Sequence, residues 1–258
     1  SFMKILNNQD FDKLYSEFND STKPFKYVVI DNFFKEKVIE RLHKEFPEVN
    51  DERWVHTRPK FYGKPNIFEK KMHAISVPEN LPKYWYEIIM QLNSKSFCEY
   101  TTKLTGIDKL LPDEHNQIGQ WSGIRYMTKG SKQLIHSDAR LHPHTKLEKK
   151  ITVVGYLNKE WSEEDDGCIE IWNNDITECV DRILPMYNRI TLFECTDKSY
   201  HGVPIVNKGR KSFMMTLVRN DNNFSEVRPK AKFVKRPNED EEKLFDELSE
   251  IRAKLTDY

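Results

Sequence analysis

Ile135-His136-Ser137-Asp138 is the stretch whose reading decides the fold. An imidazole and a carboxylate separated by one residue point to the same side of an extended chain, because side chains alternate between the two faces of a strand. The pair can close on one metal ion if residues 135–138 are extended and a third donor arrives from elsewhere. His201, in Ser199-Tyr200-His201-Gly202-Val203-Pro204, supplies that donor. The hydrophobic period around both segments is two. From Ile118 onward, strands are expected at 121–127, 132–136, 151–157, 168–172, 182–184, 189–194, 200–204 and 212–219, separated by turn-rich segments. A run of short strands of this kind predicts an antiparallel barrel or sandwich, with the metal in its mouth, where barrels hold ligands.

An H-x-D pair is common on surface strands, so the signal lies in the combination. Two imidazoles and one carboxylate form a facial triad that leaves coordination positions open and suits non-haem Fe(II) oxygenases. Arg210-Lys211-Ser212 follows His201. A planar guanidinium pairs with a carboxylate through two hydrogen bonds, and a hydroxyl beside it completes a seat for the far end of a dicarboxylic acid. Lys211 is the rival cation, but alternation turns it to the other face from Arg210 and Ser212.

Several strands then resemble those of the 2-oxoglutarate/Fe(II)-dependent oxygenase superfamily, in particular its prolyl 4-hydroxylase-like branch. Tyr156-Leu157-Asn158-Lys159-Glu160-Trp161 is similar to that branch's YLN-x-x-W strand and turn. Asp166-Gly167-Cys168-Ile169-Glu170-Ile171 resembles its GG-x-L-x-(I/L) strand, with Cys168 in place of the second glycine. Pro185 and Asn188-Arg189-Ile190-Thr191-Leu192-Phe193 resemble its P-x-x-x-R-x-x-x-F strand. The likeness covers residues 119–219 and extends more loosely to residues 25–34.

The resemblance implies a mainly β fold with flanking helices: a double-stranded β-helix (jelly-roll or cupin-like) core, N-terminal bracing helices and a C-terminal helix. It implies Fe(II) on His136, Asp138 and His201, with 2-oxoglutarate as co-substrate and its far carboxylate against Arg210, Ser212 and Tyr156. Tyr126 is expected to reach the co-substrate or the neighbouring pocket. O2, and ascorbate as an accessory, belong to the same expectation. The implied reaction is hydroxylation of a C–H bond in a prolyl or related amino-acid or peptide substrate, with release of succinate and CO2. The alternatives are a hydroxylase of a small metabolite or sugar, and a non-catalytic cupin-like metal-binding module. A halogenase of the same superfamily carries Gly or Ala at the carboxylate position, so Asp138 counts against it.

The 258 residues fit one domain, read as support and a lid loop over 1–117, the core over 118–219, and a tail and helix over 220–258. The 41 basic and 41 acidic residues cancel, which gives no electrostatic reason to expect nucleic acid or membrane as partner. A peptide or small-molecule substrate, a monomer or homodimer, and a cytoplasmic setting are expected, since no signal-peptide pattern opens the chain. The four cysteines show no C-x-x-C spacing, so thiol groups in a reducing compartment are expected rather than a zinc site. Helices are predicted over 9–18, 34–46, 81–105 and 237–255, and residues 48–80 read as a long charged loop. His142 and His144 flank Pro143 and are expected on a loop at the rim of the site, with His142 a candidate substrate contact.

Overall fold

The computed structural model describes residues 3–56, 72–75, 78–113, 121–142, 145–221 and 230–253. It is built from two antiparallel sheets with helices on the outer face of the larger one. In chain order the elements are α1 (Phe11–Phe18), β1 (Tyr27–Ile30), α2 (Glu36–Lys44), β2 (Val55–His56), β3 (Met72–Ile75), α3 (Lys83–Leu92), α4 (Lys95–Thr105), β4 (Leu110–Pro112), β5 (Gly123–Met127), β6 (Gln133–Ser137), β7 (Glu148–Tyr156), β8 (Ile169–Trp172), β9 (Cys179–Ile183), β10 (Ile190–Glu194), β11 (His201–Val203), β12 (Arg210–Arg219), β13 (Lys232–Val234) and α5 (Glu242–Ala253). The larger sheet runs β1-β10-β7-β12-β5-β3-β2, with β4 also paired to β12. The smaller runs β13-β6-β11-β8-β9. This is the double-stranded β-helix arrangement that the resemblance implies.

Alternation along β7 and β12 divides the interior in two. Phe213, Met215 and Leu217 of β12, with Ile151 and Val153 of β7, face the helices and share a core with Trp85, Ile88, Leu92, Phe97 and Leu104. Tyr156 of β7, Phe193 of β10, and Ile169 and Ile171 of β8 form a second core between the sheets, with Val154 against it. The bulk of the hydrophobic stabilisation therefore lies under the helices, while the space between the sheets also takes polar side chains.

Gly155 shows how tightly the first core is filled. It pairs with Phe213 across β7 and β12, and a Cβ placed on Gly155 would lie 2.0 Å from the Phe213 ring. Phe213 itself packs at a tilt against Phe34 and Trp85, with ring centroids 5.8 Å away in each case. The ring has nowhere to go, so Gly155→Ala is expected to lower stability by about 1–3 kcal/mol through overpacking. Denaturant unfolding with an unchanged m-value checks this.

The structure departs from the expected elements in specific ways. The predicted helix over 81–105 is two helices, because Ser94 caps a new one: its Oγ accepts from Phe97 N at 3.2 Å. Gly106 ends that helix in a left-handed conformation (φ 81°), as anticipated. α2 starts without a side-chain cap. Lys35 occupies the cap position without a side-chain hydrogen bond, and Asn32 (φ 50°) makes the turn after β1. The segment read as a charged loop over 48–80 contributes β2 and β3, which extend the larger sheet beyond β5. The aromatic and cationic residues at 58–62 lie outside the described residues. The polar tail after Asn220 contains β13, an edge strand absent from the sequence reading. In α5 only Leu248 of the anticipated stripe is seen to be buried. Leu244 is half-buried, and the side chains of Ile251 and Leu255 lie outside the described residues. Among those residues, no helix is long and apolar enough to cross a membrane.

Candidate metal centre and co-substrate pocket

β6 and β11 are paired neighbours in the smaller sheet, and His136 stands directly opposite His201 in the register. Two residues in register show their side chains on the same face, so both rings enter the space between the sheets. Asp138 follows immediately after β6 and turns its carboxylate to meet them. Asp138 Oδ1 lies 3.3 Å from His136 Nε2 and 3.5 Å from His201 Nε2. The donor atoms of the three side chains all fall within 4.8 Å of one another. All three residues are buried.

Each donor is held from behind. His136 Nδ1 pairs with Leu134 O at 2.9 Å and His201 Nδ1 with Ser199 O at 2.8 Å. Those hydrogen bonds place the proton on Nδ1 and leave Nε2 as the lone-pair donor. The second carboxylate oxygen of Asp138 is engaged too: Thr152 Oγ1 donates to Oδ2 at 3.1 Å, and Lys149 Nζ lies 3.1 Å from it. Oδ1 alone is presented with the imidazoles, as a monodentate ligand. Burial pushes the Asp138 carboxyl up, but Lys149, then His201, outweigh it and hold the group well below the usual carboxylate range. Burial lowers the His136 pKa, and the neighbouring His201 adds to this, which favours the neutral, ligating form. Ring faces are packed as well: Phe193 lies 4.6 Å from His201, and Phe233 stacks on His136 at 5.1 Å with an interplanar angle of 28°. The donor set, its tautomers and its spacing fit a divalent metal held by a facial triad.

On the larger sheet, Ser212 of β12 pairs with Tyr156 of β7 on one side and Arg125 of β5 on the other. Arg210 lies one alternation away on β12. Its Nε donates to Gly167 O at 2.8 Å, Nη1 touches Met127 Sδ at 3.6 Å, and the guanidinium lies 5.2 Å from the Tyr156 ring centre. Burial pushes the Tyr156 phenol up to about 12, so it keeps its proton as a donor. Among the described residues Tyr156 Oη finds no hydrogen-bond partner. Thr191 faces it without reaching bonding geometry. A buried guanidinium whose Nε is anchored to backbone and a buried hydroxyl lacking a partner together fit a carboxylate-bearing ligand.

Arg210, Ser212 and Tyr156 thus share the inward face of the larger sheet, and Tyr126 does not. It shares the helix-facing side of β5 with Ile124, packs near Trp54 with ring centroids 6.2 Å apart, and abuts Gly209. The residues of β5 that face the pocket are its neighbours Arg125 and Met127. Lys211 also faces outward, over the Phe46 ring at 5.6 Å. His142 is not at a rim: it is fully buried, with Nε2 3.1 Å from Asp113 Oδ1 and its ring edge-on to Trp121. His144 lies outside the described residues. Cys168 and Cys195 are buried thiols pushed up to about 12 by burial, which makes them poor metal ligands. Two cations escaped the sequence reading. One is Lys149, the partner of Asp138. The other is Arg125, half-buried on the inward face of β5 and pushed down to about 10 by burial. Its Nη1 donates to Ile124 O at 3.1 Å.

Residues 122–218 match the family described as the 2OG-Fe(II) oxygenase superfamily. That segment carries His136, Asp138, His201, Arg210 and Ser212, and the fold is prolyl 4-hydroxylase-like. No curated protein sequence matches it. Solved structures show the same fold at low identity. A 2OG-Fe(II) oxygenase family oxidoreductase from Burkholderia pseudomallei superposes with a TM-score of 0.54 at 14% identity, over 83% of this chain and 93% of that one. A Trichoplax adhaerens prolyl hydroxylase, solved with a hypoxia inducible factor oxygen degradation domain peptide fragment, gives 0.54 at 15% identity, over 81% and 90%. A Pseudomonas putida prolyl-4-hydroxylase gives 0.50 at 14% identity, over 81% and 100%.

Proposed function

We propose that the protein is an Fe(II)- and 2-oxoglutarate-dependent dioxygenase that hydroxylates a C–H bond in a prolyl or related amino-acid residue of a peptide. The observation that carries the reading is the arrangement of groups on the two sheets. A buried two-histidine, one-carboxylate cluster stands on the smaller sheet, and the larger sheet carries Arg210, Ser212 and a Tyr156 hydroxyl that has no hydrogen-bond partner among the described residues. His136, Asp138 and His201 would hold the iron. Bound there, iron supplies the redox chemistry that couples conversion of 2-oxoglutarate and O2 to succinate and CO2 with delivery of one oxygen atom to substrate.

The chain's own residues position and isolate that chemistry. Leu134 O and Ser199 O fix the imidazole tautomers. Lys149 and Thr152 keep Asp138 ionised and monodentate. Arg210 and Ser212 would take the far carboxylate of 2-oxoglutarate, with the Tyr156 hydroxyl donating to it. Phe193 and Ile171, packed between the sheets, keep bulk water from the inner side of the site.

The peptide reading rests on the prolyl-hydroxylase-like fold, and fold alone does not fix a substrate. A small amino acid or sugar is the second choice. Ascorbate as accessory reductant and a cytoplasmic setting complete the proposal. Fe(II) and 2-oxoglutarate supplied with pools of proline-containing peptides, amino acids and sugars should yield succinate, together with one product heavier by one oxygen atom, about 16 Da, in the peptide pool. Hydroxylation confined to a small metabolite would overturn the peptide assignment and leave the reaction class standing. Absence of succinate from every pool would count against the enzyme reading in favour of a metal-binding module.

A further inference from the structure

The family match ends at residue 218, and the chain then returns to the metal centre. β13 pairs with the free edge of β6, with Phe233 directly opposite His136. Its ring lies on the imidazole at 5.1 Å and 28°, close to parallel. A few residues later Arg236 folds around to the opposite face of the same sheet. There Arg236 Nη2 donates to Gln133 O at 2.9 Å, Nε donates to Glu170 Oε1 at 3.0 Å, and Nη1 donates to Glu241 Oε2 at 2.7 Å. Lys132 Nζ closes the ring of charge 2.7 Å from Glu241 Oε2. Arg236, Glu170 and Glu241 are all buried.

Gly202, next to the ligand His201, makes room for this guanidinium. A Cβ there would lie 2.9 Å from Arg236 Nη2 and 3.1 Å from Gln133 O. The tail therefore grips β6, β11 and β8, the strands around both histidines, with an aromatic ring on the inner face and a fully paired guanidinium on the outer. Buried charges paired on several sides are costly to pull apart, which fits a segment held in one register instead of a fraying edge.

We infer that this carboxy-terminal clasp positions the metal site: Phe233 sets the plane of the His136 ring, and Arg236 holds Phe233 in place. His201 receives the equivalent support from Phe193 within the matched segment. His136 has a backbone hydrogen bond on its edge, which leaves rotation about that bond to be checked by a ring face, and the tail supplies one. Partners of this kind govern metal affinity without touching the metal. The inference goes beyond the proposed reaction but rests on the reading of the triad as a metal site.

Co(II) titration of the protein, followed by calorimetry and by the visible ligand-field spectrum, tests it. Phe233→Ala is expected to weaken Co(II) binding by about tenfold or more and to alter the spectrum, the range seen for groups that orient metal ligands. Phe233→Tyr should restore both. Val234→Ala, on the other face of the same short strand, should change neither. If Phe233→Ala does not fold, Phe233→Leu takes its place, since it keeps apolar volume but not a flat face, and the same loss is expected. Wild-type affinity and spectrum in the Phe233 variant, or an equal loss from Val234→Ala, would overturn the positioning role. Failure of the unaltered protein to bind Co(II) would instead strike at the metal reading itself and remove the basis of the inference.

Discussion

Asp138→Ala and His201→Ala are both expected to abolish succinate formation, but only Asp138→Ala should also destabilise the metal-free protein substantially. Either change removes a donor from a three-ligand site. The difference lies behind the donors. His201 is held through its Nδ1 by a backbone carbonyl, and its loss leaves no charge unpaired. Asp138 is the carboxylate facing Lys149 Nζ at 3.1 Å, and Lys149 is itself buried, with the Trp121 ring 4.9 Å from its ammonium. Removing one partner of a buried ion pair strands the other, at a cost of about 3–5 kcal/mol. Thermal unfolding in the presence of a chelator separates the two variants. Equal melting temperatures would show that Lys149 does not depend on Asp138. Residual succinate from His201→Ala would remove that histidine from the ligand set.

Arg210→Ala should weaken 2-oxoglutarate binding far more than Lys211→Ala. Arg210 is buried in the pocket, with its Nε fixed by Gly167 O, so its remaining nitrogens are presented without further loss of side-chain freedom. A carboxylate deprived of a buried guanidinium loses about 3–5 kcal/mol, or roughly two to four orders of magnitude in affinity. Lys211 points to the other side of β12, toward Phe46, and its removal should leave the KM for 2-oxoglutarate near that of the unaltered protein. A larger effect from Lys211 would move the anchor by one position and require the register of β12 to differ from that described.

The triad was legible because its geometry is local to each strand. Alternation alone puts His136 and Asp138 on one side, and the apolar residues around His201 mark a second strand. Tyr126 was expected from the resemblance alone, and the register of β5 turns it to the helix side: it pairs with Lys211, and a shift of one residue reverses the face of a strand. Met127 and Arg125 take the inward positions instead. Lys149 was invisible for a different reason. Glu148-Lys149-Lys150 reads as a solvated approach to a strand expected to begin at residue 151, yet β7 begins at Glu148 and all three side chains are buried in ion pairs. β13 is three residues long in a polar segment, too short to show a period, and only its pairing with β6 reveals Phe233. The division of the predicted helix over 81–105 was written in Ser94, a strong cap residue inside an otherwise continuous apolar stripe.

Binding of 2-oxoglutarate in the presence and absence of Mn(II), a redox-silent substitute for iron, tests the metal and co-substrate sites together. A ligand that binds only the native state raises its apparent stability. The melting temperature should rise with Mn(II), rise further when 2-oxoglutarate is added to the Mn(II)-loaded protein, and gain nothing from 2-oxoglutarate in the Arg210→Ala variant. A melting temperature that responds to Mn(II) alone, with no increment from 2-oxoglutarate in the unaltered protein, would contradict the assignment of the pocket between the sheets to this co-substrate.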